Sequence, residues 1–176
     1  MIISFTELKQ SCINAINEAN RRGDYDTALF FKTLYNTGFR AAEILDFSKW
    51  EVLQDGRVIV PEHKRGEPKF LLKDNIDSLI YDTLGTDSVY KFEGSKTTYS
   101  RLFLKYSGVS NCYVGKKRIL LHTFRHVFIK RKLSEGFTEL EINQALGIKR
   151  NATTMHYIYK QYQTEQFNPK EPNVNF

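Results

Sequence analysis

Four glycines set the grain of this chain. Gly23, Gly38, Gly136 and Gly147 each follow a stretch whose apolar residues recur at helical spacing. Glycine there is a stop signal, because it enters the left-handed backbone region without a steric penalty. The stretches so closed are short. Thr6 caps a first helix whose Leu8, Cys12, Ile13 and Ile16 share one face. Asp24 caps a second, with Ala28, Leu29, Phe31, Leu34 and Tyr35 turned inward, and a short third is expected from Arg40 to about Asp46. Another begins near His122 and runs through Phe124, Val127, Phe128 and Leu133. Thr138-Glu-Leu-Glu141 is a capping box opening the next, and Asn151 caps a last helix carrying Met155, Tyr157, Ile158 and Tyr159. Between the two helical halves lies the β signal. Arg57 to Pro61 reads as a strand and Lys69 to Leu72 as its partner, joined by the polar turn His63-Lys64-Arg65-Gly66-Glu67-Pro68. The order predicts a mainly helical α+β domain with a small antiparallel β-sheet.

A length of 176 residues suits one domain able to bury a core without disulfide or metal staples. No internal repeat or low-complexity tract interrupts it. The balance of 26 Lys+Arg against 20 Asp+Glu gives +6, which suits a polyanionic partner but says nothing of fold. Cys12 and Cys112 stand a hundred residues apart and outside any metal-ligand spacing, so they read as two thiols in a reducing compartment. No apolar run approaches the roughly 18–20 residues of a membrane span. The start, Met-Ile-Ile-Ser-Phe-Thr-Glu, lacks the basic region of a signal peptide, and an intracellular protein is expected.

Three segments carry chemistry. In Asn36-Thr-Gly-Phe-Arg40-Ala-Ala-Glu43-Ile-Leu45 a Thr-Gly break sets Arg40 at a helix start, with Glu43 one turn on. Such a carboxylate can hold a guanidinium in one rotamer, though alone it reads as an ordinary surface ion pair. In Leu121-His122-Thr-Phe-Arg125-His126 the imidazole of His122 and the fork of Arg125 project to one side of a turn. Aimed at one point, they suit a tetrahedral oxyanion such as phosphate. A helix-start histidine that only satisfies backbone groups is the plainer account. In Leu146-Gly-Ile-Lys-Arg-Asn-Ala-Thr153-Thr154-Met-His-Tyr157-Ile-Tyr159, tyrosines follow a Leu-Gly break. A tyrosine at helical spacing is usually a core or rim aromatic.

In this order and at these separations the segments resemble the tyrosine recombinase (phage integrase) family. Its pattern is Thr-Gly-x-Arg-x-x-Glu, a lysine on a β-hairpin, His-x-x-Arg, Leu-Gly-His/Trp, and a tyrosine nine residues beyond. The resemblance spans Asp24 to Tyr162. It implies a helical catalytic domain of the DNA breaking–rejoining type over residues 1–162, with residues 163–176 as a mobile tail or one exchanged between protomers. Arg40 and Arg125 would clamp the phosphate. Lys64 matches the hairpin lysine, with Lys69 the alternative if the register differs. His122 matches the first histidine, and Glu43 would orient Arg40. Tyr157, nine positions after Ile148, falls on the nucleophile, with Tyr159 competing. At 148 the family carries His or Trp, which donates a hydrogen bond to the phosphate; isoleucine cannot. Lys149, Arg150 and His156 are candidates to replace that donor.

The resemblance implies cleavage and rejoining of DNA through a 3′-phosphotyrosine bond, with no cofactor and no metal. The implied partner is double-stranded DNA at a specific recombination site. The implied assembly is a tetramer on paired sites, and a monomer or weak oligomer alone. The implied compartment is the cytoplasm of a bacterial, archaeal or virus-infected cell. Lys116, Lys117, Arg118, Lys130, Arg131 and Lys132 would contact the DNA backbone, which positions without specifying sequence. Three alternatives remain open. One is a type IB topoisomerase-like enzyme, the second a DNA-binding member of weak or lost activity, and the third a basic helical domain for an acidic protein.

Overall fold

A computed structural model of the chain describes residues 5–62, 67–109, 113–114, 117–118 and 120–148, with 113–114 and 117–118 as backbone alone. The described residues contain seven α-helices and five short strands. They form two compact units, one over 5–45 and 91–127 and the other over 46–90 and 128–148.

The first unit is built on α1 (Phe5–Arg21), α2 (Tyr25–Thr37), α3 (Ala41–Leu45) and α5 (Lys96–Ser107). α1 packs against α2 and α5, burying Leu8, Cys12, Ala15, Ile16 and Ala19. Thr6 lies within α1 rather than capping it, since Phe5 is already helical and buried. Gly23 at φ 72° ends α1, and Asp24 caps α2 by accepting from the Thr27 N–H at 3.3 Å. Gly38, at φ 69°, closes α2 with its N–H on the Leu34 carbonyl at 2.9 Å.

An aromatic cluster fills the space between α2 and α5. Phe30 stacks on Tyr99 with ring centroids 4.0 Å apart, and Phe31 meets Phe103 edge-on and Phe124 face-on. Two tyrosines of α5 tie it to the start of α2. Tyr106 donates to Asp24 at 2.7 Å, and Tyr99 donates to Asp26. α5 is not among the helices that the sequence periodicity predicts. Its apolar positions are mostly aromatic and carry polar hydroxyls, so the periodicity is faint, although Ser95 caps its start and Gly108 its end.

The second unit holds a three-stranded sheet in the order β1-β2-β3, from β1 (Glu51–Val52), β2 (Val58–Val60) and β3 (Lys69–Leu71). The expected pairing is present, antiparallel, with Val58 opposite Leu71 and Val60 opposite Lys69. β1, a strand not expected from the sequence pattern, adds the edge, with Glu51 opposite Ile59. Val58, Val60 and Leu71 point into the core, while Phe70 is exposed beneath the Arg57 guanidinium, 5.0 Å from the ring centroid. The short α4 (Ser78–Tyr81), capped by Asp77, follows the sheet.

Two further elements come late in the chain. β4 (Tyr113–Val114) and β5 (Lys117–Arg118) pair antiparallel as a second small ladder. α6 (His122–Ser134) is buried on nearly every side, and the division between the units falls within it, after Val127. α7 (Glu139–Leu146) opens on the expected capping box. Thr138 accepts from the Glu141 N–H at 3.2 Å, and the Glu141 carboxylate accepts from the Thr138 N–H at 3.3 Å. Gly147, at φ 65°, ends it. The helix expected from Asn151 lies outside the described residues.

Candidate functional site

The site elements of the first unit converge at the α2–α3 corner. Thr37 donates its hydroxyl to the Thr33 carbonyl at 2.7 Å and accepts from the Phe39 N–H at 3.2 Å, which shapes the turn around left-handed Gly38. Arg40 follows, half-buried, immediately before α3. Its carbonyl takes the first helical N–H groups, those of Glu43 at 3.0 Å and Ile44 at 3.3 Å. In return the Glu43 carboxylate accepts from the Arg40 N–H at 3.0 Å, the reciprocal contact of a helix cap.

Glu43 is 4% exposed, and the guanidinium beside it belongs to Arg125, whose Nη1 lies 4.0 Å from its Oε1. The same Nη1 donates to the Gly38 carbonyl at 3.3 Å, across 87 residues of chain. Arg125 is 4% exposed. A guanidinium is planar, so anchoring one nitrogen on a carbonyl and a carboxylate fixes the direction of the whole fork. Glu43 is expected from the sequence to orient the Arg40 guanidinium; here its carboxylate takes the Arg40 backbone N–H and faces the guanidinium of Arg125 instead. The anchoring of Arg125 on Gly38 was not legible, because a glycine carbonyl carries no side-chain signal.

His122 is the first residue of α6 and is exposed; Arg125 follows one turn later on the same helix, as the spacing predicts. An imidazole and a fixed guanidinium one turn apart at a helix start suit a phosphate-like anion.

The other expected residues are distributed differently. Lys64, Arg65, Lys116, Lys149, Arg150, His156, Tyr157 and Tyr159 lie outside the described residues. Lys117 and Arg118 form β5, opposite Val114 and Tyr113. Lys69, the alternative hairpin lysine, is 2% exposed in β3, and its ammonium donates to the Leu146 carbonyl at 2.9 Å. Ile148 is buried, so the residue in the donor position packs as an apolar side chain. Lys130, expected on a DNA-facing surface, is fully buried, and so is Arg131. Side chains without exposed surface do not reach a backbone phosphate, so these two expectations are corrected. Lys132 remains half-buried and pairs with Glu135 at 3.1 Å.

An open hollow of about 460 Å³ between α1 and α5, lined by Asn14, Glu18, Arg21 and Lys105, includes none of these residues.

Comparison with known proteins gives three results. The model of the phage integrase family matches residues 6–164. Among solved structures, the chain is similar to the crystal structure of XerA recombinase, with a TM-score of 0.53 and 19% identity. The match covers 94% of this chain and 64% of that one, so this chain spans under two thirds of that protein's length. No curated protein sequence matches.

Proposed function

Because this chain belongs to the phage integrase family, we propose that it is a DNA strand transferase, the catalytic domain of a site-specific recombinase or integrase. The observation that carries this reading is the joining of two motifs 87 residues apart: the arginine of His-x-x-Arg is held on the glycine carbonyl of Thr-Gly-x-Arg. The fold, similar to that of XerA recombinase, supports it.

The proposed chemistry follows from what phosphodiester exchange demands. A phenol with a pKa near ~10 attacks poorly until its proton is removed. In the scheme the Tyr157 oxygen attacks phosphorus while its proton passes toward His122. Arg40 and Arg125 hold the two nonbridging oxygens, where negative charge grows in the transition state. The bond to the 5′-oxygen breaks, and Lys64 supplies the proton that makes it a hydroxyl. The products are a 3′-phosphotyrosine bond and a free 5′-hydroxyl. Attack by a 5′-hydroxyl reverses the step and rejoins a strand with no external energy. The scheme balances without a metal or cofactor.

The partner is double-stranded DNA at a recombination site, engaged as a tetramer on paired sites. Lys116, Lys117 and Arg118 are assigned to backbone phosphates; of these, Lys117 and Arg118 form β5. Residues 1–162 are assigned to the catalytic part, a reading that the family match over residues 6–164 supports.

A nicked suicide duplex tests the reading, because it traps the covalent intermediate. The chain is expected to become attached to DNA, and Tyr157→Phe to lose the adduct entirely. Equal adduct from both proteins would move the nucleophile to Tyr159. A second reading, a DNA-binding member of weak activity, is favoured by one observation, the burial of apolar Ile148 where a donor is needed. Loss of one such donor costs on the order of a hundredfold or more in rate. The same assay then gives slow adduct formation, with salt-sensitive DNA binding intact.

A further inference from the structure

Two hydrogen bonds in the second unit join segments far apart in the chain. The Lys69 ammonium donates to the Leu146 carbonyl at 2.9 Å, across 77 residues. The Glu67 N–H donates to the Gly147 carbonyl at 2.8 Å. Together they fasten the start of β3 to the C-terminal end of α7, which packs against that strand.

The chemistry at this junction is selective. Lys69 is 2% exposed, and an ammonium is tolerated out of water only when hydrogen-bonded. A helix C-terminus offers carbonyls without helical partners and the negative end of the helix dipole, both of which favour a cation. Methionine would fill similar volume without that desolvation cost, so the cation's particular contribution is direction. Gly147 is constrained twice. Its φ is 65°, and a Cβ there would stand 2.4 Å from the Glu67 carbonyl oxygen and 3.1 Å from the Lys69 Cδ. The backbones approach too closely for any other residue.

The sequence gives this junction its consequence. Glu67 lies three residues after Lys64, and Gly147 lies ten before Tyr157. We propose that Lys69 is a positioning residue: with the Glu67–Gly147 bond it clasps the hairpin to the end of α7, setting the hairpin lysine relative to the nucleophile-bearing segment. The proposal rests on the assignment of Lys64 as general acid made above.

The test uses the full chain and the variants Lys69→Met, Lys69→Arg and Lys64→Ala. In amide hydrogen exchange, Lys69→Met is expected to speed exchange over residues 67–72 about tenfold, leave α1 and α5 unchanged, and be largely reversed by Lys69→Arg. Single-turnover cleavage is then measured on a nicked duplex with oxygen, or with sulfur, at the bridging 5′ position. A thiolate leaves without a proton because its conjugate acid has a pKa near ~8.5. Lys69→Met is expected to cleave the oxygen substrate about tenfold to a hundredfold more slowly, the scale of a small misplacement of a catalytic group. On the sulfur substrate it matches wild type.

Unchanged exchange over residues 67–72 overturns the clasp. Equal slowing on both substrates, or wild-type speed on oxygen, reduces Lys69 to a stabilising residue and overturns the positioning role. Failure of the underlying assignment appears elsewhere. Either wild type forms no adduct, or Lys64→Ala is slowed alike on oxygen and sulfur, and the positioning role falls with it whatever the exchange shows.

Discussion

At position 43 a buried carboxylate answers two neighbours, the Arg40 N–H and the Arg125 guanidinium. Removing it leaves a helix N–H uncapped and takes a negative charge from beside a buried cation. Glu43→Ala is therefore expected to destabilise by about 3 kcal/mol, at the low end for a broken buried pair because the 4.0 Å separation is long. Glu43→Gln, which keeps an acceptor, should cost about half as much. Urea midpoints at unchanged slope check both values. Glu18 behaves differently because it is only half-buried, at the surface of α1. Hydrogen bonds from Arg21 and Arg22 hold its carboxyl at about 2, well below the usual carboxylate value. A depressed carboxylate pKa stabilises the fold above the unfolded value and loses that contribution as pH falls toward 2. NMR titration should place the Glu18 midpoint near 2, and Arg22→Ala should raise it. At this scale the sequence already shows Arg40, Glu43, His122 and Arg125 as a chemical set. It does not show that Glu43 faces Arg125, because that contact joins segments 82 positions apart.

The elements are held by aromatic packing and by hydroxyl ties from α5 to α2. Phe31 meets Tyr99, Phe103 and Phe124 and is completely buried. Phe31→Ala should cost about 3–5 kcal/mol through lost transfer energy and the cavity left behind. Tyr106 adds a hydrogen bond to Asp24, so Tyr106→Phe should cost about 1 kcal/mol in the same unfolding measurement. Burial, then the Asp24 contact, raises the Tyr106 phenol above its ordinary pKa. A raised pKa favours the protonated form in the folded state. Its contribution is complete below about 10 and is lost as pH climbs through the folded value; Tyr106→Phe should remove that alkaline dependence. Helix limits were largely legible, since Asp24, Gly38, Thr138 and Gly147 act on their own neighbours. α5 and β1 were not. Aromatic residues blur the periodicity of α5, and a two-residue strand such as β1 exists only through its partner.

For the whole molecule, the net charge of +6 and the family membership point to a polyanionic partner. If a few lysines and arginines neutralise phosphates, DNA affinity should fall about tenfold or more between 50 and 200 mM salt. A flat salt profile in fluorescence anisotropy would instead indicate a partner other than DNA. Composition could not say which cations face outward. Lys130 and Arg131 are fully buried, although in sequence they read as DNA-facing cations, and Lys69, the alternative hairpin lysine of the sequence pattern, closes a helix end. The chain's local grammar determined where helices begin and stop, that two strands pair across a hairpin, and the order of its motifs. Those outcomes depend on side chains acting within a few residues of themselves. Which distant groups touch was decided only by the fold: Arg125 on Gly38, Lys69 on Leu146, Glu67 on Gly147. Spacing assigns a residue to a face of its own element, but only packing supplies what that face meets.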